Sequence, residues 1–67
     1  MAKLNEFGIK VKHRLIDLEE PQTWLIEEVR KRTGKYMDSG YLSKLMTGKI
    51  SSEPMKKAIC EILGIDI

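Results

Sequence analysis

The fold is decided by the stretch Asp38-Ser39-Gly40-Tyr41-Leu42-Ser43-Lys44-Leu45-Met46-Thr47-Gly48-Lys49. Its residues predict a short helix with a defined beginning and end. Asp38 or Ser39 can accept a hydrogen bond from a free backbone N–H of the first turn. Gly48 can adopt the left-handed conformation that closes a helix, and Lys49 lies near the negative end of the helix dipole. The stretch therefore predicts a helix over residues 39–47.

The two faces of this helix differ in chemistry. Leu42 and Leu45 are three residues apart, so they share one face and can pack on a core. The other side chains are small or polar and point elsewhere: Ser39, Gly40, Tyr41, Ser43, Lys44 and Thr47. A helix with its side chains is about 10–12 Å across, and the major groove of B-DNA is about 12 Å wide. Two interpretations fit the stretch: a helix that enters this groove, or an ordinary surface helix of a small bundle.

The composition is that of an ordinary globular domain. The 67 residues predict one domain, 1–67, near the lower limit for a chain that folds around its own core. The net charge is +2, from 12 basic and 10 acidic residues, so bulk charge does not argue for a nucleic-acid partner. The single Cys60 excludes an intramolecular disulfide and favours a reducing compartment. Without an apolar run of membrane-spanning length or a signal-peptide pattern, we expect a cytoplasmic protein that does not bind membranes.

Apolar residues at helical spacing predict three further helices, over residues of about 4–18, 21–33 and 52–63. Asn5 and Ser52 are suitable N-terminal caps, Pro21 and Pro54 suit a first turn, and glycines follow the second and last helices. The apolar stripe of the first helix consists of Leu4, Phe7, Val11, Leu15 and Leu18. The predicted fold is an all-α bundle of four, or at most five, short helices.

Three large apolar residues lie outside the core stripes. Ile9 and Ile16 are seven residues apart and share another side of the first helix, where they can pack under Ile65 and Ile67 or against a partner chain; the sequence favours the first. Trp24 widens the apolar face of the second helix. It is either a lid on the core, which we expect, or part of a dimer contact, where tryptophan is enriched.

Two chemically reactive side chains have simple interpretations. His13 has no second histidine, no cysteine and no carboxylate cluster at metal-ligand spacing, so we expect a solvated histidine. Cys60 lies in the middle of the last helix with no basic neighbour expected to lower its pKa, so we expect an inert packing residue.

Basic residues are concentrated at the end of the second helix. Arg30, Lys31, Arg32 and Lys35 precede the predicted helix 39–47, across a short link that contains Gly34. A link of this kind is what a helix-turn-helix requires. On a solvated surface such a cluster has no special meaning. Beside a helix that enters a DNA groove, all four residues of the run, Arg32 and Lys35 among them, would lie along the phosphates.

Four segments in order resemble the lambda-repressor/Cro-like helix-turn-helix family of DNA-binding domains, also called the XRE family. The first helix ends in residues 14–18, Arg-Leu-Ile-Asp-Leu, and Gln22 stands three residues before Leu25. Residues 41–49 resemble the family's run of apolar, serine, basic, apolar, two further residues, glycine and basic. The segment 58–65 is similar to the family's terminal pattern. The resemblance covers nearly the whole chain and implies the same fold.

The resemblance also implies roles for individual residues. Gln22 would contact a phosphate and brace the first residue of the recognition helix. Ser39, Gly40 and Tyr41 would approach base edges, Lys44 would lie beside the groove, and Thr47 with Lys49 would hold the DNA backbone on the far side. Phosphate contacts position such a protein, while base contacts supply its sequence preference.

The chain departs from the family's pattern at three places. Pro21 stands where the family usually has a threonine or serine cap, and Ile26 stands where it has a small residue. More residues separate Val29 from Leu42 than in the family. This added length either extends the second helix by a turn or enlarges the loop that holds Lys35 and Tyr36.

These observations predict a sequence-specific protein that binds double-stranded DNA, a small transcriptional regulator of the phage or mobile-element repressor type. The alternative is a protein-interaction module on the same scaffold, such as an antirepressor or assembly factor, with Trp24, Ile9 and Ile16 as its working surface. A homodimer is compatible with both. The sequence contains no Cys/His pair, no glycine-rich phosphate loop and no convergent carboxylates, so we expect no enzyme, no cofactor, no metal and no small-molecule substrate.

Overall fold

A computed structural model describes residues 3–66, which form four helices. In chain order they are α1 (Glu6–Leu18), α2 (Gln22–Thr33), α3 (Ser39–Thr47) and α4 (Glu53–Leu63). Within the described residues there is no β-strand, and the all-α prediction is confirmed. The predicted ends of the helices at 18, 33, 47 and 63 are correct, while α1 begins at Glu6 and not at Leu4.

Local capping interactions set most of these boundaries. The side chain of Asn5 accepts a hydrogen bond from the Gly8 N–H at 2.7 Å, and Asp38, not Ser39, caps α3 by accepting from the Tyr41 N–H at 2.8 Å. Gly48 closes α3 with a φ of 82°, in the left-handed region that favours glycine. Ser52 occupies the N-cap position of α4, but its side chain makes no capping hydrogen bond, so that part of the prediction is wrong.

The core receives buried side chains from all four helices and from the segment between α2 and α3. α1 packs mainly against α3, and α2 packs mainly against α4. The segment 34–38 contributes Met37, which is 1% exposed. The buried apolar residues of the core are Phe7, Val11, Leu15, Leu25, Ile26, Val29, Met37, Leu42, Leu45, Met46, Met55, Ala58, Ile59 and Leu63.

The isoleucines of α1 do not pack under the C-terminal segment. Ile9 is 46% exposed and Ile16 is 67% exposed, so the prediction of intramolecular burial is wrong. Polar side chains of α1 hold that segment instead: Arg14 Nε donates to the Leu63 carbonyl at 2.6 Å, and Lys10 Nζ donates to the Asp66 carbonyl at 3.0 Å. Ile65 packs against the core from its edge. Ile67, the other predicted partner, lies outside the described residues.

The remaining expectations about single side chains have mixed outcomes. Trp24 is half-buried and packs against the core, which confirms its role as a lid. His13 is exposed to solvent, as expected. Leu18, predicted as part of the core stripe, is 37% exposed. None of the helices in residues 3–66 combines the length and the apolar character needed to cross a membrane.

Candidate nucleic-acid interface

α3 buries one face and exposes the other. Leu42, Leu45 and Met46 are buried in the core, while the outer face is formed by Ser39, Gly40, Ser43 and Lys44, all of which are exposed. Tyr41 is half-buried and packs at the edge of the core, so only part of its side chain belongs to the outer face. Apart from Lys44, the outer face carries no charge.

The C-terminal end of α3 is fixed by close contact with the beginning of α1. Asn5 donates from its backbone N–H to the Met46 carbonyl at 2.8 Å and from its side-chain Nδ2 to the Leu45 carbonyl at 3.2 Å. A Cβ atom at Gly8 would collide with the Met46 carbonyl oxygen and lie 2.9 Å from Met46 Cβ. Only glycine therefore allows α1 to approach α3 this closely. Gly8 was not among the predicted functional residues, although glycine is the residue that permits a close approach of two backbones.

The beginning of α3 is fixed by the segment 34–38, called the linker below. Buried Met37 anchors the linker in the core. The Tyr36 hydroxyl donates to Asp38 Oδ2 at 3.3 Å, and Asp38 Oδ1 accepts from the Tyr41 N–H. The Thr33 side chain accepts from the Lys35 N–H at 3.2 Å. α2 ends at Thr33. The linker that follows is held in place by these contacts at both of its ends.

Two shallow grooves are lined in part by residues of the linker. The first, called the linker groove, is lined by Glu27, Arg30, Lys31, Gly34, Lys35 and Tyr36. The second, called the α3 groove, is lined by Tyr36, Asp38, Gly40, Tyr41, Lys44 and Ile50. Tyr36 borders both grooves and is 74% exposed, so the two grooves adjoin at its side chain.

The basic run at the end of α2 does not form a single cluster. The Arg30 guanidinium carbon lies 5.7 Å from the centre of the Tyr36 ring, and Lys31 Nζ lies 3.5 Å from Glu28 Oε2. Arg32 points to another side of α2, where its Nε lies 4.0 Å from Glu61 Oε1 on α4. The expected cluster of four cations is therefore wrong in one member, because Arg30, Lys31 and Lys35 line the linker groove and Arg32 does not.

Gln22 lies in a different place from the other predicted site residues. It is the exposed first residue of α2, in a shallow groove between α1 and α2. The acidic residues Glu19 and Glu20 line this groove, together with Lys12. Carboxylates beside Gln22 would repel a DNA phosphate, so the local charge does not favour the phosphate contact that the resemblance implies.

The structure thus separates the predicted residues into groups. Gly40, Tyr41 and Lys44 line the α3 groove, and exposed Ser39 precedes them at the first position of α3. Thr47 and Lys49 lie at the other end of α3. The Thr47 hydroxyl donates to the Ser43 carbonyl at 2.9 Å, and the Lys49 N–H donates to the Lys44 carbonyl at 2.9 Å.

Cys60 lies outside these grooves, half-buried on α4. Burial raises the pKa of the Cys60 thiol, and the nearby positive charges of Lys56 and Lys10 offset part of this rise. The expectation that no basic residue lies near Cys60 is therefore wrong, but the net direction still leaves the thiol protonated and poorly nucleophilic at neutral pH. Residues 3–66 contain no group of three or more histidine, cysteine, aspartate or glutamate side chains that could hold a metal ion.

We compared the chain with known proteins by sequence and by structure. No family model matches the chain, and searches of curated proteins and of solved structures give no match. The resemblance to the lambda-repressor/Cro-like family therefore remains a prediction from the sequence.

Proposed function

We propose that this protein binds double-stranded DNA with α3 in the major groove and acts as a small transcriptional regulator of the repressor type. The observation that carries this proposal is the asymmetry of α3. Its inner face is buried, and its outer face of Ser39, Gly40, Ser43 and Lys44 is exposed on a helix held at both ends. A rigidly held helix with a small, polar outer face is suited to a groove about 12 Å wide.

The side chains of the outer face are suited to different contacts with DNA. Ser39 and Gly40 are small, so the beginning of α3 can approach the base edges closely. Serine can donate or accept a hydrogen bond with either kind of base, but it does not make the strong bidentate contacts of arginine, asparagine or glutamine. Tyr41 then carries more of the discrimination, together with sequence-dependent DNA shape, while Lys44 contacts a phosphate beside the groove.

The test is the selection of bound sequences from a random duplex pool, followed by titration of the selected duplex at several salt concentrations. Lys44→Gln should weaken binding and reduce the steepness of the plot of log affinity against log salt by about 1 if Lys44 contacts a phosphate. Tyr41→Phe keeps the packed ring and removes only the hydroxyl. It should change the preference at one base pair by about 1–3 kcal/mol if that hydroxyl contacts a base.

Lys57→Gln is the matched control. Lys57 is exposed on α4 and lines a groove with Gly64 and Asp66, not either groove at α3. The control loses one positive charge, as Lys44→Gln does, and should bind the selected duplex with the affinity of the wild type. If no duplex, random or genomic, is retained by the wild type at low salt, the proposal is wrong.

One observation favours a second function, the binding of a protein partner. Ile9 and Ile16 are exposed on the same side of α1, where a partner would bury two large apolar side chains. Trp24, which packs against the core, is not available to this surface as a free side chain. Ile16→Ser should abolish partner binding under this second proposal and should leave DNA binding by a monomer unchanged. Light scattering of the free chain distinguishes a homodimer from a monomer that awaits another partner.

A further inference from the structure

We infer that the linker groove is a second DNA-binding surface, which takes a phosphate of the strand that flanks α3. This inference rests on the proposed function and extends it to residues that have no role in the family resemblance. Arg30 is the principal contact and Lys35 is its neighbour; what the structure adds to the predicted basic run is the groove that these two share with Tyr36, which also borders the α3 groove.

The charge of the linker groove suits a phosphodiester. Its lining carries the cations Arg30, Lys31 and Lys35 and one carboxylate, that of Glu27. Lys31 is partly engaged by Glu28, at 3.5 Å, which leaves Arg30 and Lys35 as the cations without a carboxylate within 4.0 Å among the described ion pairs. A groove with an excess of positive charge attracts the DNA backbone, and its affinity for DNA falls as salt is added.

The position of Arg30 on Tyr36 suits a guanidinium that binds an anion. The guanidinium carbon lies 5.7 Å from the ring centre, within the range of a cation–π contact. A guanidinium can stack on an aromatic ring through its planar face. The N–H groups at its edge remain suitable for a bidentate contact with phosphate oxygens. The Tyr36 ring thus holds Arg30 in place without competing for its hydrogen bonds.

Contacts within the protein hold the linker groove in shape. Met37 is 1% exposed and ties the linker to the core, and the Tyr36 hydroxyl is bonded to Asp38, the residue that caps α3. Thr33 holds the backbone of Lys35. An ordered linker loses little conformational freedom when it binds, so more of the contact energy contributes to affinity.

The linker groove adjoins the surface that α3 would present to a duplex. A helix in the major groove lies between two phosphate backbones, about 12 Å apart. The linker precedes α3 directly, and Tyr36 borders both the linker groove and the α3 groove. A surface that begins on the outer face of α3 and continues over Tyr36 would therefore meet one of these backbones at Arg30 and Lys35.

The experiment compares salt dependence for Arg30→Gln, Lys35→Gln and the control Lys57→Gln on the selected duplex. Each groove variant should lower the slope of log affinity against log salt by about 0.9 for one lost phosphate contact. The ratio of wild-type to variant affinity should then fall by roughly 3.5-fold between 50 and 200 mM salt, because a fourfold rise in salt acts with that slope. Preference for the selected over a random duplex should not change. Lys57→Gln should retain the wild-type slope.

Phosphate ethylation interference locates the contact. Ethylation of one phosphate beside the bases read by α3 should block the wild type and should have no further effect on Arg30→Gln. Arg30→Lys keeps the charge and should restore the slope, which separates a lost contact from a misfolded variant. If the wild type binds the duplex but Arg30→Gln and Lys35→Gln keep its slope and its interference pattern, the inference is wrong and the proposed function stands. If the wild type binds no duplex, both are wrong.

Discussion

Gly8 is the residue on which the position of α3 depends most directly. A Cβ at Gly8 would meet the carbonyl oxygen of Met46, a backbone atom that already accepts from the Asn5 N–H and has little room to move. Gly8→Ala should therefore lower the free energy of unfolding by about 1–3 kcal/mol, as overpacking does. This range is the net loss: the intrinsic gain in helix propensity, about 1 kcal/mol for glycine to alanine, acts in the opposite direction, and a collision with a backbone atom costs more than that gain. Urea denaturation followed by far-UV circular dichroism measures the change.

Gly40 provides the control for this substitution. It also lies in a helix, but a Cβ there would meet only Asp38 Oδ1, at 3.5 Å, an ordinary contact. Gly40→Ala should raise the free energy of unfolding by about 0.4–1 kcal/mol, because alanine restricts the unfolded chain. Equal effects of the two substitutions would show that the close approach of α1 to α3 is not as tight as the structure has it.

The charged residues of α2 show that neighbours in a basic run of the sequence need not lie on the same surface. Arg30 and Arg32 are two residues apart, and side chains at that spacing do not face the same side of a helix. The helical period alone could have separated them. What it could not supply is the partner of each: Glu61 is far from Arg32 in sequence, and the Tyr36 ring is reached only through the turn of the linker.

The linker behaves as an element of the structure and not as a loose connection. Met37 is buried among the core residues, while its neighbour Tyr36 is 74% exposed. Met37→Ala should lower the free energy of unfolding by about 2–5 kcal/mol, the usual cost of truncating a buried methionine. Tyr36→Ala should cost about 1 kcal/mol or less, because it removes one exposed hydrogen bond and one exposed cation–π contact. The measurement is the urea midpoint of each variant, and similar losses for both would contradict an anchored linker.

Element boundaries could be predicted from the sequence because their causes are local. Asn5 and Asp38 cap helices with their own side chains, and Gly34, Gly48 and Gly64 follow the last residues of α2, α3 and α4. Such signals act over three or four residues. The burial of Met37 was not predicted, because one apolar residue between polar ones has no period from which a face can be inferred.

The contacts between segments that are distant in the chain could not be predicted from the sequence. Ile9 and Ile16 looked like partners for the C-terminal segment on hydrophobicity alone. Arg14 and Lys10 instead hold that segment by donating hydrogen bonds to its backbone carbonyl groups. Every residue has such a carbonyl, so the sequence contains no signal for these contacts. The outer face of α3 was predictable, since two leucines define its opposite side. The basic surface beside it was only partly predictable, because it depends on the path of the linker.

The whole chain should unfold as one unit. The buried core contains residues of every helix and of the linker, and the sole tryptophan, Trp24, packs against it. For a small domain with one shared core, loss of any element exposes the rest, so partly folded states are not populated. Trp24 fluorescence, which reports on the α2 side of the core, and far-UV circular dichroism, which reports on all four helices, should give the same urea midpoint. Helical signal that persists after the tryptophan signal has changed would contradict this, and would show that α1 and α3 hold together without α2 and α4.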